Sequence, residues 1–178
     1  LSCLADSYVT FTGPATVITG LSHLEGESVV VWADGADVGT VDSARPWTQT
    51  YTVSGGQITL AASATNVVVG LMYDADFTSG KLGMQTQGGS ILNQQKRIVH
   101  LGLVMADVHA KGLRFGDEYG DVDQFDDLPE MEHGALVTGL REEYDQNVIA
   151  FPGSWETDTR VRLLGQAPRP CTVLAVTI

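Results

Sequence analysis

The sequence predicts an all-β protein, built from small antiparallel β-sandwich or barrel modules with long loops and at most one short helix. Short runs rich in β-branched and aromatic residues alternate with turn signals such as Asp34-Gly35. No amphipathic pattern at helical spacing extends beyond about three turns. The chain has 178 residues, of which 43% are hydrophobic, enough to fill the core of one domain or of two small ones.

The first β module is predicted over residues 14–86, after a lead-in strand or linker at residues 1–13. Its strand-like runs lie at residues 28–33, 48–53, 57–60 and 67–73. The last run is continuously apolar, which is typical of a strand covered on both faces. Asp34-Gly35 and residues 54–56 supply turns between the runs.

The second β region is predicted over residues 87–178. A long strand is expected at residues 97–108, because Gly102 and several β-branched residues disfavour a helix there. An acidic loop follows at residues 117–132, where Pro129 and turn-forming residues oppose regular structure. The C-terminal strands are predicted at residues 147–151, 159–163 and 171–178.

The charge of the chain argues against one class of function. It has 22 Asp and Glu against 10 Lys and Arg, a net charge of −12 with neutral His. Arg45 is the only Lys or Arg before Lys81. Because wrapping of DNA requires clustered Lys and Arg that displace counterions from the phosphates, we expect no such activity. A negative surface suits a wall along which DNA slides without binding, although many ordinary acidic proteins share this composition.

The acidic loop is the candidate functional segment. It carries eight acidic residues and no Lys or Arg between Asp117 and Glu132. The residues that we assign to a lumen or to contacts between subunits are Asp117, Glu118, Asp121, Asp123, Asp126 and Asp127. A solvated or inter-subunit loop is the simplest interpretation. The alternative is a Ca²⁺ site, since Ca²⁺ favours oxygen ligands, but the order of an EF-hand loop is absent.

Signatures of catalysis and cofactor binding are absent from the sequence. There is no GxSxG, GxxxxGK[ST] or HExxH motif. His100 and His109 are nine residues apart, which places them on opposite faces of a regular strand. We therefore expect no enzyme activity, no catalytic residue, no cofactor and no metal centre. Cys3 and Cys171 are expected to be buried free thiols.

The apolar runs are too short for a membrane helix, which needs about 20 residues, so no membrane segment is expected. No basic stretch followed by an apolar one opens the chain, which predicts no signal peptide.

Several motifs carry a resemblance to a family of phage tail proteins. Residues 16–35, TVITGLSHLEGESVVVWADG, resemble the tail-protein pattern T-x-I-x-G-L-x-H-L-E-G-x-x-V-x-V-x-A-D-G. Residues 53–60, VSGGQITL, resemble V-S-G-G-x-I-T-L, and residues 64–73 match A-S-x-V-x-V-G-L-x-Y in part. Shorter matches are KRI at 96–98, PGSW at 152–155, RV at 160–161 and PCTVLAV at 170–176.

Over nearly its whole length the chain therefore resembles the C-terminal region of tail proteins of the nozzle, tail tubular protein B or DNA-stabilisation type. Residues 38–50 look like an insertion relative to that pattern. The matching residues mark turns and core strands, so the resemblance implies a structural role and offers no catalytic residue. Within the HLEG run, His23 and Glu25 are expected to form a hydrogen-bonded pair, with His23 buried.

The resemblance implies a structural component of a phage or phage-like tail. Such a component forms part of a ring or nozzle through which double-stranded DNA is retained and ejected. The implied partners are copies of the chain itself, six to a ring, and other tail proteins such as adaptor, portal or fibres. DNA would pass through without sequence-specific binding. The implied location is the tail of the virion, after assembly in the host cytoplasm.

Two other functions stay open at the level of the sequence. A carbohydrate- or receptor-binding β module, such as an adhesion domain, would place Trp47, Trp155 or Tyr51 on an exposed platform. A Ca²⁺ ion in the acidic loop would suit that function. A hydrolase fragment would instead need two carboxylates that face each other in a deep cleft.

Overall fold

The computed structural model describes residues 3–43, 46, 48–73, 75–83, 85–118, 120–132, 135–137 and 139–178. The fold is all-β, as the sequence predicted. Within these ranges no helix reaches seven residues, and the helical segments are 3₁₀ turns at Ser22–Leu24 and Val122–Gln124. Contacts divide the chain into unit 1, residues 1–74 with 166–170, and unit 2, residues 75–165 with 171–178.

Unit 1 is built on one antiparallel sheet. Its strands are β1 Ala5–Thr19, β2 Ser28–Ala33, β3 Ala36–Val38, β4 Thr40–Val41, β5 Gln49–Thr52 and β6 Gln57–Met72. The strand order is β1-β6-β2-β5-β4, and β3 also pairs with β2. β2 is buried from Val29 to Ala33, and Val29, Val31 and Ala33 pack in the core of the unit. β6 pairs with one edge of β2, and β3 and β5 share the other. The core of the unit forms around Ile18, Leu21, Val31, Val53, Ile58 and Val69.

The HLEG run in unit 1 does not form the pair that the sequence predicted. His23 is exposed, and its Nε2 lies 3.1 Å from the backbone oxygen of Ser7. The Glu25 carboxylate instead accepts hydrogen bonds from the backbone N–H groups of Gly55 and Gly56, at 2.8 and 2.6 Å. Both glycines have positive φ, which turns their N–H groups in a direction that an L-residue rarely allows.

The described residues of unit 2 form eleven strands. They are β7 Ala75–Thr78, β8 Gln85–Thr86, β9 Gly89–Ser90, β10 His100–His109, β11 Leu113–Asp117, β12 Asp126–Asp127, β13 Met131–Glu132, β14 Ala135–Leu136, β15 Leu140–Ala150, β16 Val161–Gly165 and β17 Thr172–Thr177. One sheet has the order β15-β10-β17, and a second has the order β12-β11-β16-β7. β8 pairs with β9, and β13 pairs with β14.

The two larger sheets of unit 2 contribute to one core. β10 and β15 supply Leu101, Leu103, Met105, Tyr144 and Ile149, while β11 and β16 supply Leu113, Phe115, Val161 and Leu163. Phe115 stacks on Phe151 with ring centroids 6.1 Å apart. Apolar side chains that alternate along strands of both sheets therefore produce a layered β arrangement.

The contacts assign β7 to unit 2, although the sequence predicted a first module that runs to residue 86. β7 pairs with β16, with Phe77 opposite Leu163 and Ala75 opposite Gly165. The long strand expected at residues 97–108 is β10, His100–His109. Residues 5–13, predicted as a lead-in strand or linker, belong to β1 and pair with β6. Among the described residues, no helix is long and apolar enough to cross a membrane.

Candidate functional site

The acidic loop, residues 117–132, is held against unit 2 by apolar anchors. It contains the Val122–Gln124 3₁₀ turn and the short strand β12, which pairs with β11. Phe125 and Leu128 are 5% and 2% exposed. Phe125 packs beside Gly116 of β11, where a Cβ atom would lie 2.5 Å from its ring. Two buried apolar side chains in an otherwise polar segment therefore fix the path of the loop.

A buried arginine ties the loop from inside. Arg114 on β11 is 7% exposed and donates from Nη2 to the carbonyl oxygens of Phe125, at 2.6 Å, and Asp123, at 3.3 Å. Its Nε also lies 3.5 Å from Oδ1 of Asp127. A buried guanidinium needs such partners, and the loop carbonyls need such donors. The sequence analysis did not identify Arg114. The one feature that could have indicated it is its position as a cationic residue in a short strand directly before the acidic loop.

The acidic residues assigned from the sequence fall into two groups. Asp117 is 6% exposed, and its Oδ2 accepts a 2.8 Å hydrogen bond from the Ser154 hydroxyl. Glu118 is partly buried and lies 3.1 Å from Nε of Arg160. The remaining four are exposed, and we call them the acidic face: Asp121, Asp123, Asp126 and Asp127. Asp117 and Glu118 thus contact groups within unit 2, whereas the acidic face is exposed, although its Asp127 also lies near Arg114.

The chain does not gather these carboxylates into a cation cage. No group of three or more His, Cys, Asp or Glu side chains within the described ranges is arranged to hold a metal ion. Asp121 uses its carboxylate to accept the backbone N–H of Asp123 at 3.3 Å, which caps the 3₁₀ turn. The geometry therefore presents separate negative charges on a surface.

Most described cations in unit 2 are engaged by groups of the same unit. Arg162 binds the carboxylate of Asp76 and lies over the Phe125 ring at 5.7 Å. These hydrogen bonds lower the pKa of Asp76 and raise that of Arg162. Arg160 pairs with Asp158 at 3.0 Å and lowers the pKa of that carboxyl. Lys96 donates to the backbone oxygens of Leu92, Gln94 and Thr157.

Unit 1 offers even fewer exposed cations. Arg169 is its one Lys or Arg among the described residues. It is 5% exposed, and its Nη2 lies 2.6 Å from Oδ2 of Asp37. Asp34 on the same unit accepts the backbone N–H groups of Thr65 and Asn66, which lower the pKa of its carboxyl. The exposed charge of this unit is therefore dominated by carboxylates.

The aromatic residues named for a sugar platform do not share one environment. Trp155 is 65% exposed. Tyr51 is half-buried and lines a cleft of about 380 Å³ in unit 1, together with Asp37, Gln49 and Ser63. Trp47 lies outside the described residues. Of the two described rings, Trp155 is the more exposed.

The histidines and thiols occupy separate places. His109 is buried, and its Nδ1 accepts the backbone N–H of Lys111 at 3.1 Å, whereas His100 is exposed. Cys3 and Cys171 are free and half-buried. Burial raises the pKa of both thiols, that of Cys171 to about 11, so neither is an activated nucleophile.

No protein-family model matches the chain, and no curated protein matches it. Two features bear on function: the acidic face is exposed, and most described cations pair with groups of their own unit. Exposed carboxylates of this kind disfavour the approach of phosphates.

Proposed function

We propose that this protein is a structural component of a phage or phage-like tail. Several copies, six in the resembling family, form a ring or nozzle through which double-stranded DNA is retained and then ejected. Neighbouring copies and other tail proteins, such as adaptor, portal or fibres, are its partners. It catalyses no reaction, and DNA passes without sequence-specific binding.

The distribution of charge is the observation that carries this proposal. The acidic face exposes four carboxylates, while Arg114, Arg160, Arg162 and Arg169 all pair with groups of their own unit. A channel for DNA must not bind the phosphate backbone, and a wall with few exposed cations meets this need. We place Asp121, Asp123, Asp126 and Asp127 at the lumen of the ring.

The motifs of the resemblance support the same role, because they act in the scaffold of unit 1. Glu25 of the HLEG run binds the two glycines of the VSGG run, so the two most distinctive motifs contact each other directly. Leu21 also donates its backbone N–H to the carbonyl of Gly56 at 2.9 Å. Motifs that lock a turn are what a structural module needs.

Electron microscopy of the full chain tests the proposal. We expect particles with rotational symmetry and a central opening, with the acidic face directed into it. Native mass spectrometry of the same sample would give the number of copies. A solitary monomer at all concentrations, or a ring whose acidic face points outward, would contradict the proposal.

One observation favours a second candidate function. Trp155 is 65% exposed, and an exposed indole is a common stacking surface for sugars. As a carbohydrate- or receptor-binding module, the chain would bind glycans on an array and lose that binding on Trp155→Ala. Tyr8→Ala removes an aromatic ring of similar exposure, 62%, from unit 1 and is the matched control. An array without any bound glycan would exclude this alternative.

A further inference from the structure

Unit 1 contains a cleft of about 380 Å³ to which the proposed tail function gives no role. Val38 and Leu60 give the cleft apolar surface, Tyr51 gives it an aromatic ring, and Asp34 and Gln49 contribute polar groups. Val38, Leu60 and Tyr51 also pack in or against the core of the unit, which holds the cleft in shape. A cleft of this size that combines apolar surface with a few polar groups is typical of a site for a small ligand.

One side of the cleft comes from a break in the pairing of β1 with β6. The register changes between the pairs Ala15–Ala64 and Val17–Thr59, so one residue of β1 is opposite four residues of β6, 60–63. All four line the cleft, and the last three have small side chains that leave its space open. Irregularities of this kind redirect side chains and are frequent beside functional sites.

Another side of the cleft comes from residues 38–50, which look like an insertion relative to the tail-protein pattern. Gly39 and Gln49 line the cleft from near the two ends of this segment. Gly39 has a φ of 150°, and a Cβ there would lie 2.8 Å from the backbone N and O of Thr50, so glycine permits their close approach. Like residues 61–63, this segment lies outside the stretches that resemble the tail proteins. The cleft is therefore built largely by segments that the resemblance does not cover.

The cleft carries an excess of negative charge. Asp34 is exposed, and hydrogen bonds from the backbone N–H groups of Thr65 and Asn66 hold its carboxylate and lower its pKa, so it is ionised at neutral pH. Asp37 is neutralised by Arg169, whose Nη2 lies 2.6 Å from its Oδ2. No Lys or Arg is among the described residues that line the cleft. The charge of Asp34 is therefore available to a ligand of opposite sign.

We propose that this cleft binds an alkylated ammonium ion, with its charge near Asp34 and its alkyl groups against Tyr51, Val38 and Leu60. A carboxylate and the face of an aromatic ring both attract such a cation. Alkyl groups on the nitrogen suit the apolar surface, whereas a primary ammonium is strongly hydrated. A neutral sugar would gain nothing from the excess charge. The cleft lies within one copy of the chain, so binding does not require the proposed ring.

Titration of the full chain with choline chloride, followed by NMR of the backbone amides, tests the proposal. We expect saturable shifts at residues 49–51 and 61–63, beyond those that sodium chloride causes at the same ionic strength. Dimethylbutanol, in which carbon replaces the nitrogen of choline, has nearly the same shape without the charge. We expect it to bind at least about tenfold more weakly. Equal affinity of the two ligands, or no saturable shift with choline, would overturn the proposal.

Three variants locate the binding in the cleft. Ala62→Phe adds a ring at an exposed lining position and should abolish saturable binding without removing a contact. Tyr51→Leu removes the ring and Asp34→Asn removes the charge, and we expect each to weaken choline binding by about threefold or more. Tyr8→Leu and Glu27→Gln make the same kinds of change at exposed positions outside the lining and should bind like the parent.

The same NMR spectra show whether each variant keeps the fold, because the amide signals of distant strands should not move. Ala62→Phe keeps the test decisive if either of the other two variants fails to fold. Parental affinity for choline in folded Ala62→Phe would place the site elsewhere and overturn the proposal.

Two further ligands distinguish the chemistry that the cleft recognises. Phosphocholine adds a phosphate to the same ammonium group and should bind more weakly than choline, since the described lining offers no Lys or Arg to pair with it. Tighter binding of phosphocholine would contradict a site for the cation alone. Methyl glucoside represents neutral sugars, and an affinity equal to that of choline would overturn the proposal in favour of sugar recognition.

The outcomes for this inference and for the proposed function are separate. Rings that bind no choline would overturn the inference and leave the tail function standing. A monomer that binds choline in the cleft would support the inference and contradict the ring.

Discussion

Two carboxylates of unit 1 each bind a pair of consecutive backbone amides. Glu25 accepts from Gly55 and Gly56, and Asp34 accepts from Thr65 and Asn66 at 2.9 and 2.8 Å. In both cases the carboxylate follows or lies within a tight turn, and the amides belong to a segment about thirty residues away. Each side chain thereby joins distant parts of the sheet through charge-assisted hydrogen bonds.

Glu25→Gln tests the first of these contacts. The amide keeps one acceptor oxygen but loses the charge and the second acceptor, so we expect a loss of about 1 kcal/mol in the free energy of unfolding. Urea denaturation measures it. Glu27→Gln removes an exposed acid two residues away and should change that free energy by less than about 0.5 kcal/mol. Equal effects of the two variants would mean that the amide contacts are not the cause.

The Asp76–Arg162 pair predicts a dependence of stability on pH. Hydrogen bonds from Arg162 lower the pKa of Asp76 below its ordinary value of 3.8. A lowered carboxyl pKa stabilises the folded state above that ordinary value, and the contribution is lost as pH falls through the folded pKa. Because the pair is partly exposed, we expect Asp76→Asn to cost about 0.5–1 kcal/mol at neutral pH, and we expect this cost to shrink as the pH falls below 3.8 through the folded pKa.

Urea denaturation at several pH values measures this difference. Asp123→Asn removes one carboxylate from the exposed acidic face and controls for the change in net charge. If Asp76→Asn and the parent chain differed by the same free energy at neutral and at acid pH, the ion pair would not be the source of the difference.

At the scale of elements, the acidic loop depends on close packing between β11 and Phe125. A Cβ at Gly116 would lie within 2.5 Å of Cδ1 and 2.7 Å of Cε1 of the Phe125 ring. The absence of a side chain at Gly116 is therefore what allows the ring to cover the strand. The Arg114 guanidinium then donates to the carbonyl oxygens of Asp123 and Phe125, which lie on either side of the last residue of the 3₁₀ turn.

We expect Gly116→Ala to displace Phe125 and to destabilise the protein by about 1–3 kcal/mol, the usual cost of overpacking. The loop should also become more sensitive to limited proteolysis. Gly80→Ala is the control, since a Cβ there meets nothing within 4 Å. Phe125→Leu in the Gly116→Ala background should recover part of the loss. If Gly116→Ala left the free energy of unfolding unchanged, the Phe125 ring would be able to move aside without destabilising the protein.

Strands can be predicted from local sequence patterns, but the strands with which they pair often cannot. The continuous apolar run at residues 67–73 identified the end of β6 correctly, because burial on both faces leaves a local signature. The partner of β7 has no such signature. Its four residues pair with β16, more than eighty positions later in the chain, and short strands take their partners from the tertiary fold.

At the scale of the whole molecule, the chain is strongly negative. The chain has a net charge of −12, and in unit 1 the described Lys and Arg amount to Arg169, which is buried. Under the proposed function, the described surface repels the phosphates of DNA, and the acidic face places four of the repelling carboxylates in one loop.

We expect the assembled parent protein to bind no double-stranded DNA at about 0.1 M salt. Asp123→Lys with Asp126→Lys should produce retention that weakens steeply with salt, because each phosphate contact adds about 0.9 to the logarithmic salt slope. Asp6→Lys with Glu27→Lys makes the same change in net charge on unit 1 and is the control. Gel retardation over a salt series measures both. Equal binding by the two variants would argue against the acidic face as the surface that meets DNA.

The sequence by itself determined the all-β class, several strands such as β2 and β10, and the acidity of the loop, since alternation, turn residues and net charge are local or additive properties. It did not determine what each acid does. Tertiary packing decided that Asp117 is buried beside Ser154, that Glu25 binds Gly55 and Gly56 instead of His23, and that four loop carboxylates are exposed. The physical reason is that a side chain's partner and burial depend on residues far along the chain, which no local pattern encodes.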